Sequence, residues 1–99
     1  MAKGEVLALC QEMTISRAAF LRSLTIAIEP GTFEVDGETL RSSDPAHVWR
    51  IRLTPLAELR LGLIQLSRHR VEIFLTGYDA TRTAGFLERF ERYFRRAGG

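Results

Sequence analysis

Few side chains in this sequence could do chemistry, and their spacing assembles no catalytic motif. The two histidines, His47 and His69, lie at the start of a predicted strand and in a predicted turn, and Cys10 is the single cysteine. The sequence contains no glycine-rich phosphate loop, nucleophile elbow or paired metal-ligand spacing. Glu88 and Glu91 each precede an arginine by four residues, which is typical of ion pairs along a helix. We therefore expect a non-enzymatic protein without a metal or cofactor.

Arginine is the other residue type that stands out. The net charge is +2, but residues 1–46 carry −3 (four basic, seven acidic) and residues 47–99 carry +5 (ten basic, five acidic). Arginine is suited to bidentate contact with carboxylate or phosphate, which would explain its frequent use at a binding surface. A genome rich in G and C favours arginine codons and would give the same high arginine content without any role in binding. The second half of the chain is therefore where we expect a binding surface.

Strand alternation predicts that many of these arginines share one face of a sheet. In the segment His47 to Leu53, Trp49, Ile51 and Leu53 point to one side and the intervening residues to the other. Leu59 to Leu66 and Arg70 to Thr76 are predicted to follow as further strands. The predicted partner-binding residues on the open side are Val48, Arg50, Arg52, Arg60, Arg70 and Phe74.

Two kinds of ligand suit such a face. Arginine and aromatic residues are enriched at protein interfaces, so a protein partner or a second copy of the chain is our first expectation. Single-stranded nucleic acid is the alternative, because bases stack on aromatic rings while arginines pair with phosphates. A face of long cationic side chains that merely covers the sheet is the third interpretation.

The element order predicts an α+β domain over residues 1–99. We expect an antiparallel sheet of four to five strands, with an N-terminal helix and a long C-terminal amphipathic helix packed on one face. The N-terminal helix is expected over Val6–Phe20, or over a shorter segment from Arg17 to Ser23 capped by Ser16 or Thr14. Residues 1–14 are then either a mobile arm or part of that helix.

Turn signals divide the middle of the chain. A strand with Leu24, Ile26 and Ile28 is predicted to end at Pro30-Gly31. Asp36-Gly37 predicts a hairpin in which Val35 faces Glu38 and Phe33 faces Leu40. The remaining predicted features are a turn at Asp44-Pro45, a strand end at Thr54-Pro55, a bulge at Gly62-Leu63 and a turn at Ser67 to His69.

The chain closes with a helix and two glycines. Asp79 is a predicted N-cap, and Phe86, Phe90 and Phe94 recur at helical spacing. The terminal Gly98-Gly99 resembles the diglycine of ubiquitin-like and sulfur-carrier proteins, and this resemblance implies a terminal carboxylate that is activated and then conjugated or converted to thiocarboxylate. The other interpretation of these glycines is a helix C-cap.

Composition limits the setting. The chain of 99 residues has 45% apolar residues, which is typical of one globular domain. A single cysteine excludes an intramolecular disulfide and favours a reducing, cytoplasmic compartment. No apolar run approaches the ~20 residues that a membrane-spanning helix needs. We expect neither a membrane nor a small molecule as the partner.

Overall fold

The structure is a computed structural model that describes residues 4–27, 33–42 and 48–97. Its elements are β1 (Val6–Met13), α1 (Arg17–Ala27), β2 (Phe33–Asp36), β3 (Thr39–Ser42), β4 (Val48–Leu61), β5 (Ile64–Thr76) and α2 (Ala80–Ala97). The strands form one antiparallel sheet in the order β1-β5-β4-β3-β2, and both helices pack on one side of it. The predicted α+β fold class is confirmed.

The core lies between the two helices and the inner side of the sheet. Its strand residues are Leu40, Trp49, Ile51, Leu53, Val71, Ile73 and Leu75. Phe20 of α1 is fully buried, and its ring centroid lies 4.6 Å from that of Phe94 and 6.2 Å from that of Phe90, both on α2. This aromatic cluster therefore joins the helices to each other above the sheet.

The N-terminal segment corrects the sequence prediction. The predicted helix over Val6–Phe20 is wrong, because Val6–Met13 forms an edge strand that pairs with β5 from Val6 opposite Leu75 to Met13 opposite His69. The same pairing excludes a mobile arm over this stretch. The start of the shorter helix is confirmed, because α1 begins at Arg17 and the Ala19 amide donates to Ser16 Oγ at 3.1 Å, but α1 continues past Ser23 to Ala27.

The strand predicted around Leu24 to Ile28 is also wrong. Leu24 and Ala27 are buried residues of α1, and with Phe20 they recur at the spacing of a helix rather than a strand. Ile28, Pro30 and Gly31 lie outside the described residues, as do the predicted turn at Asp44-Pro45, His47 and the terminal glycines.

The first hairpin is present, but its turn lies one residue later than predicted, so each residue of β2 pairs two residues further along the chain. Val35 pairs with Leu40 and Asp36 with Thr39, so the two-residue turn is Gly37-Glu38. Gly37 has φ 61°, and no described non-glycine residue has a positive φ. A turn of this kind needs the left-handed conformation at its first central residue only, and glycine adopts it without strain.

The second hairpin is longer and less interrupted than predicted. Gly62-Leu63 is not a bulge but the two-residue turn between β4 and β5, with φ 63° at Gly62, and β5 passes through Ser67–His69 without a break. The expected strand end at Thr54-Pro55 is wrong as well. Leu53 donates its amide to the Glu38 carbonyl at 2.8 Å, away from β5. The backbone nitrogen of Pro55 faces the same edge of β4 as that of Leu53. It lies beyond the end of β3, so the missing amide hydrogen of proline costs the sheet no hydrogen bond.

The C-terminal helix follows the prediction. Arg82 donates its amide to Asp79 Oδ1 at 2.7 Å, which confirms the predicted cap. Phe90 and Phe94 are buried, and Glu88 accepts from Arg92 at 3.0 Å on the exposed side. Neither of the two described helices combines the length with the hydropathy that a membrane-spanning helix requires.

Candidate protein-binding surface

The side of the sheet opposite the helices, which we call the outer face, carries five of the six predicted site residues. Trp49, Ile51 and Leu53 point into the core, so the intervening residues of β4 point outward. The register places Arg50 opposite Phe74 and Arg52 opposite Glu72. The predicted residues on this face are Val48, Arg50, Arg52, Arg70 and Phe74.

Arg60 does not belong to the outer face. The β4 strand carries an extra residue between Leu56, which pairs with Arg68, and Leu59, which pairs with Leu66. This bulge shifts the alternation of β4 by one position, so Arg60 pairs with Gln65 on the core side of the hairpin. The phase slip expected at Gly62-Leu63 is therefore real but lies several residues earlier.

The outer face is less basic than expected because the neighbouring strands bring carboxylates. Arg50 donates to both oxygens of Glu5, at 2.9 Å from Nε and 2.7 Å from Nη2, and its Cζ lies 4.2 Å from the Phe74 ring centroid. Arg68 binds Glu12 at 2.6 Å, and Arg41 binds Asp36 at 3.4 Å. The sequence prediction missed these pairs, since it placed β1 in a helix and gave β2 another register.

Glu5 and Arg50 each stabilise the charged form of the other. The hydrogen bonds from Arg50 hold the pKa of the Glu5 carboxyl below its ordinary value of 4.5, and those same bonds raise the pKa of Arg50. Both side chains remain partly exposed, at 31% for Arg50 and 38% for Glu5, so water screens the pair.

Acid should remove the contribution of this pair. Because the folded state lowers the pKa of Glu5, its stabilisation is present above pH 4.5 and is lost as the pH falls through the folded-state pKa.

At pH 7, Glu5→Gln should lower the free energy of unfolding by about 0.2–1 kcal/mol. Urea denaturation at pH 7 and again in acid measures this, and the difference between the variant and wild type should be smaller in acid. Glu58→Gln, whose carboxylate has no ion-pair partner among the described residues, is the control and should differ little at either pH. A Glu5→Gln difference that is undiminished in acid would contradict the assignment.

The β4–β5 hairpin extends well beyond the rest of the sheet. On one side β1 ends at Met13, opposite His69, and on the other the last pair between β3 and β4 is Thr39 with Arg52. Among the described residues, no strand therefore pairs with residues 56–68, which we call the arm, on the side of β1 or on the side of β3. The chain accordingly measures 51 Å along its longest axis and 24 Å across.

One side of the arm is apolar and exposed. The bulge places Leu59 and Leu61 on the same side as their partners Leu66 and Ile64, which continues the outer face. The exposed fractions are 39% for Leu59, 56% for Leu61 and 58% for Ile64, and Leu63 at the turn is fully exposed. We call Leu56, Leu59, Leu61, Ile64 and Leu66 the arm face. Sequence reasoning missed it because the misplaced bulge and turn broke the hairpin into pieces.

Of the histidine and cysteine residues that could act in catalysis, the structure describes His69 and Cys10. His69 is buried, and its Nδ1 lies 2.7 Å from the Ile15 carbonyl, which requires Nδ1 to carry the proton and donate. Cys10 is exposed on β1 opposite Glu72. Within residues 4–27, 33–42 and 48–97, no three His, Cys, Asp or Glu side chains are close enough to hold a metal ion.

A shallow cleft of about 420 Å³ lies where the start of β1 meets the start of α2. Val6, Ala8, Leu75 and Tyr78 line it together with Thr83 and with Asp79, whose carboxylate already caps α2. The cleft therefore presents few polar groups that could orient a small ligand.

No protein-family model, curated protein or solved structure matches this chain.

Proposed function

We propose that this chain is a non-enzymatic binding module that contacts a protein partner through the outer side of its sheet, with the arm face at the centre. The observation that carries the proposal is the row of leucine and isoleucine side chains exposed on a projecting two-stranded arm. Soluble proteins seldom leave a contiguous apolar strip uncovered unless something binds it.

The arginines fit this proposal as the polar rim. Arg52 and Arg70 are exposed on the outer face beside the base of the arm. Interfaces commonly surround an apolar centre with solvent-accessible polar groups, and arginine is enriched among them. The outer face thus supplies both parts of a protein-binding surface on one side of one sheet.

The charge pattern favours protein over nucleic acid. A phosphate-binding face needs guanidinium groups available to phosphate, whereas Arg50, Arg41 and Arg68 already bind carboxylates of the same face. Phe74, the aromatic residue expected to stack on a base, is covered on one side by Arg50. Mixed charge with internal pairing is better suited to a protein surface.

A comparison of matched arm variants tests the proposal. Wild type, Leu61→Glu and Arg60→Glu are each immobilised, exposed to extract of the native host at moderate salt, and the retained proteins are identified by mass spectrometry. We expect Leu61→Glu to lose proteins that wild type and Arg60→Glu both retain, because the two substitutions lie on opposite sides of the same strand. Equal retention by all three would contradict the proposal. Binding of single-stranded oligonucleotide at ~50 mM salt that weakens steeply as salt rises would replace it with the nucleic-acid function.

A further inference from the structure

We propose that the partner of the arm face is a second copy of this chain, with two arms packed antiparallel and their apolar faces together. The inference rests on the proposed function and names its partner. It would make the module a symmetric dimer in which each arm covers the other. The rest of each chain, which we call the body, would lie at opposite ends of the dimer.

The first step is that the arm needs a cover. A two-stranded ribbon is marginally stable in water unless a third strand or a packed layer supports it. Within the part of the chain that the structure describes, no third strand pairs with the arm beyond His69 on one side and Arg52 on the other, and Leu59 and Leu61 are exposed. A second layer on the arm face would supply the missing support.

The second step is that the contact uses the face of the arm rather than the β4 edge. Along that edge stand Pro55, which has no amide hydrogen, then the bulge, which contains the charged residue Glu58, and then Arg60. Prolines, bulges and charges are the features by which natural sheets prevent edge-to-edge pairing. The arm face carries no charged residue between Leu56 and Leu66 and so has no such protection.

The third step is the match between the arm face and itself. A cover must be apolar, uncharged and about 20 Å long, the length of a six-residue strand such as Leu56–Leu61. A charged partner would find nothing on this face to pair with. Two identical ribbons meet these requirements, because they have the same twist and pack aligned. A two-fold axis pairs the arm face of one chain with the arm face of the other, so neither arm face stays exposed and the assembly stops at two chains.

The antiparallel direction follows from the charges of the outer face. If the two arms ran parallel, the outer faces of both bodies would meet, and the ion pair between Arg50 and Glu5 would lose water on both sides. Desolvating ion pairs costs more than their attraction commonly returns. Antiparallel arms overlap only along the arm and leave the Arg50–Glu5 pair hydrated.

The decisive experiment is sedimentation equilibrium over a wide concentration range. Wild type should shift with increasing concentration from 11.2 kDa to twice that mass. Leu61→Glu should remain at 11.2 kDa, since its carboxylate would be buried without a partner, whereas Arg60→Glu on the opposite side of the arm should dimerise as wild type does. A wild type that is monomeric throughout, or equal loss of the dimer in both variants, would overturn the inference.

A cross-link tests the orientation. In a Cys10→Ser background, Leu59→Cys lies near the predicted two-fold axis and should be joined to its counterpart by a short bifunctional maleimide. Arg60→Cys points away from the contact and should not react in this way. Cross-linking at residue 60 but not at residue 59 would overturn the face-to-face arrangement. If wild type stays monomeric while host proteins still depend on Leu61 for capture, this inference fails and the proposed function stands. If neither occurs, both fail.

Discussion

Phe20→Ala should destabilise the domain by about 3–5 kcal/mol, the largest effect we expect from a single substitution. Phe20 is fully buried and contacts the rings of Phe90 and Phe94, so its removal leaves a cavity where the two helices meet above the sheet. The free energy of unfolding of a domain this size is about 5–15 kcal/mol, so the variant should be close to unfolding at 37 °C. Urea denaturation followed by circular dichroism measures the loss.

The matched control lies on the same helix. Ile26 is 67% exposed on α1, and Ile26→Ala removes apolar side-chain atoms without opening a cavity. It should change the free energy of unfolding by no more than about 0.5 kcal/mol. Similar losses for Phe20→Ala and Ile26→Ala would mean that the helix interface is not packed as the structure describes.

Removing the arm should abolish self-association and leave the body folded. The deletion replaces residues 57–67 with Asn-Gly, so that a two-residue turn joins Leu56 to Arg68. These two residues pair across the hairpin in the wild type. The backbone amide of Leu53 points toward Glu38 and away from β5, and the direction alternates from one residue to the next, so the backbone groups of Leu56, three residues later, face Arg68. A hydrogen-bonded pair of this kind is what a two-residue turn closes. Sedimentation equilibrium should give a monomer at every concentration.

The body should tolerate this deletion because its core makes no use of the arm. All the fully buried strand residues lie between Leu40 and Leu53 or between Val71 and Ile73. The urea midpoint of the deletion variant should therefore stay close to that of wild type at a concentration where wild type is monomeric. Unfolding of the body on deletion would show that the arm is part of the folding unit, and a persistent dimer would place the contact elsewhere.

The sequence predicted the parts of the fold that depend on short-range patterns. Alternation around Trp49 and Ile73 identified the inner side of the sheet, and Asp79 with the spacing of Phe90 and Phe94 identified α2. Each of these signals repeats within a few residues and needs no information about distant partners. The same local rules placed five of the six predicted site residues on the outer face.

The errors arose where a distant strand decides the outcome. Val6 to Met13 has no clear period of its own, and it is a strand because β5, some sixty residues later, pairs with it. Pro55 ends a strand by its local chemistry but is tolerated here because β3 stops before it. The bulge at Leu56–Leu59 moved Arg60 to the other side and created the arm face, which was visible only once the register was known.

The pairing of β1 with β5 also determines when the sheet can be completed during synthesis. Val6 pairs with Leu75, so the first strand emerges from the ribosome long before its partner has been translated. Contacts between residues so far apart in the chain form slowly, because a large loop must close before they contribute. We therefore expect β1 to add last and the nascent chain to expose its unpaired first strand, which makes it a substrate for chaperones until translation has passed β5.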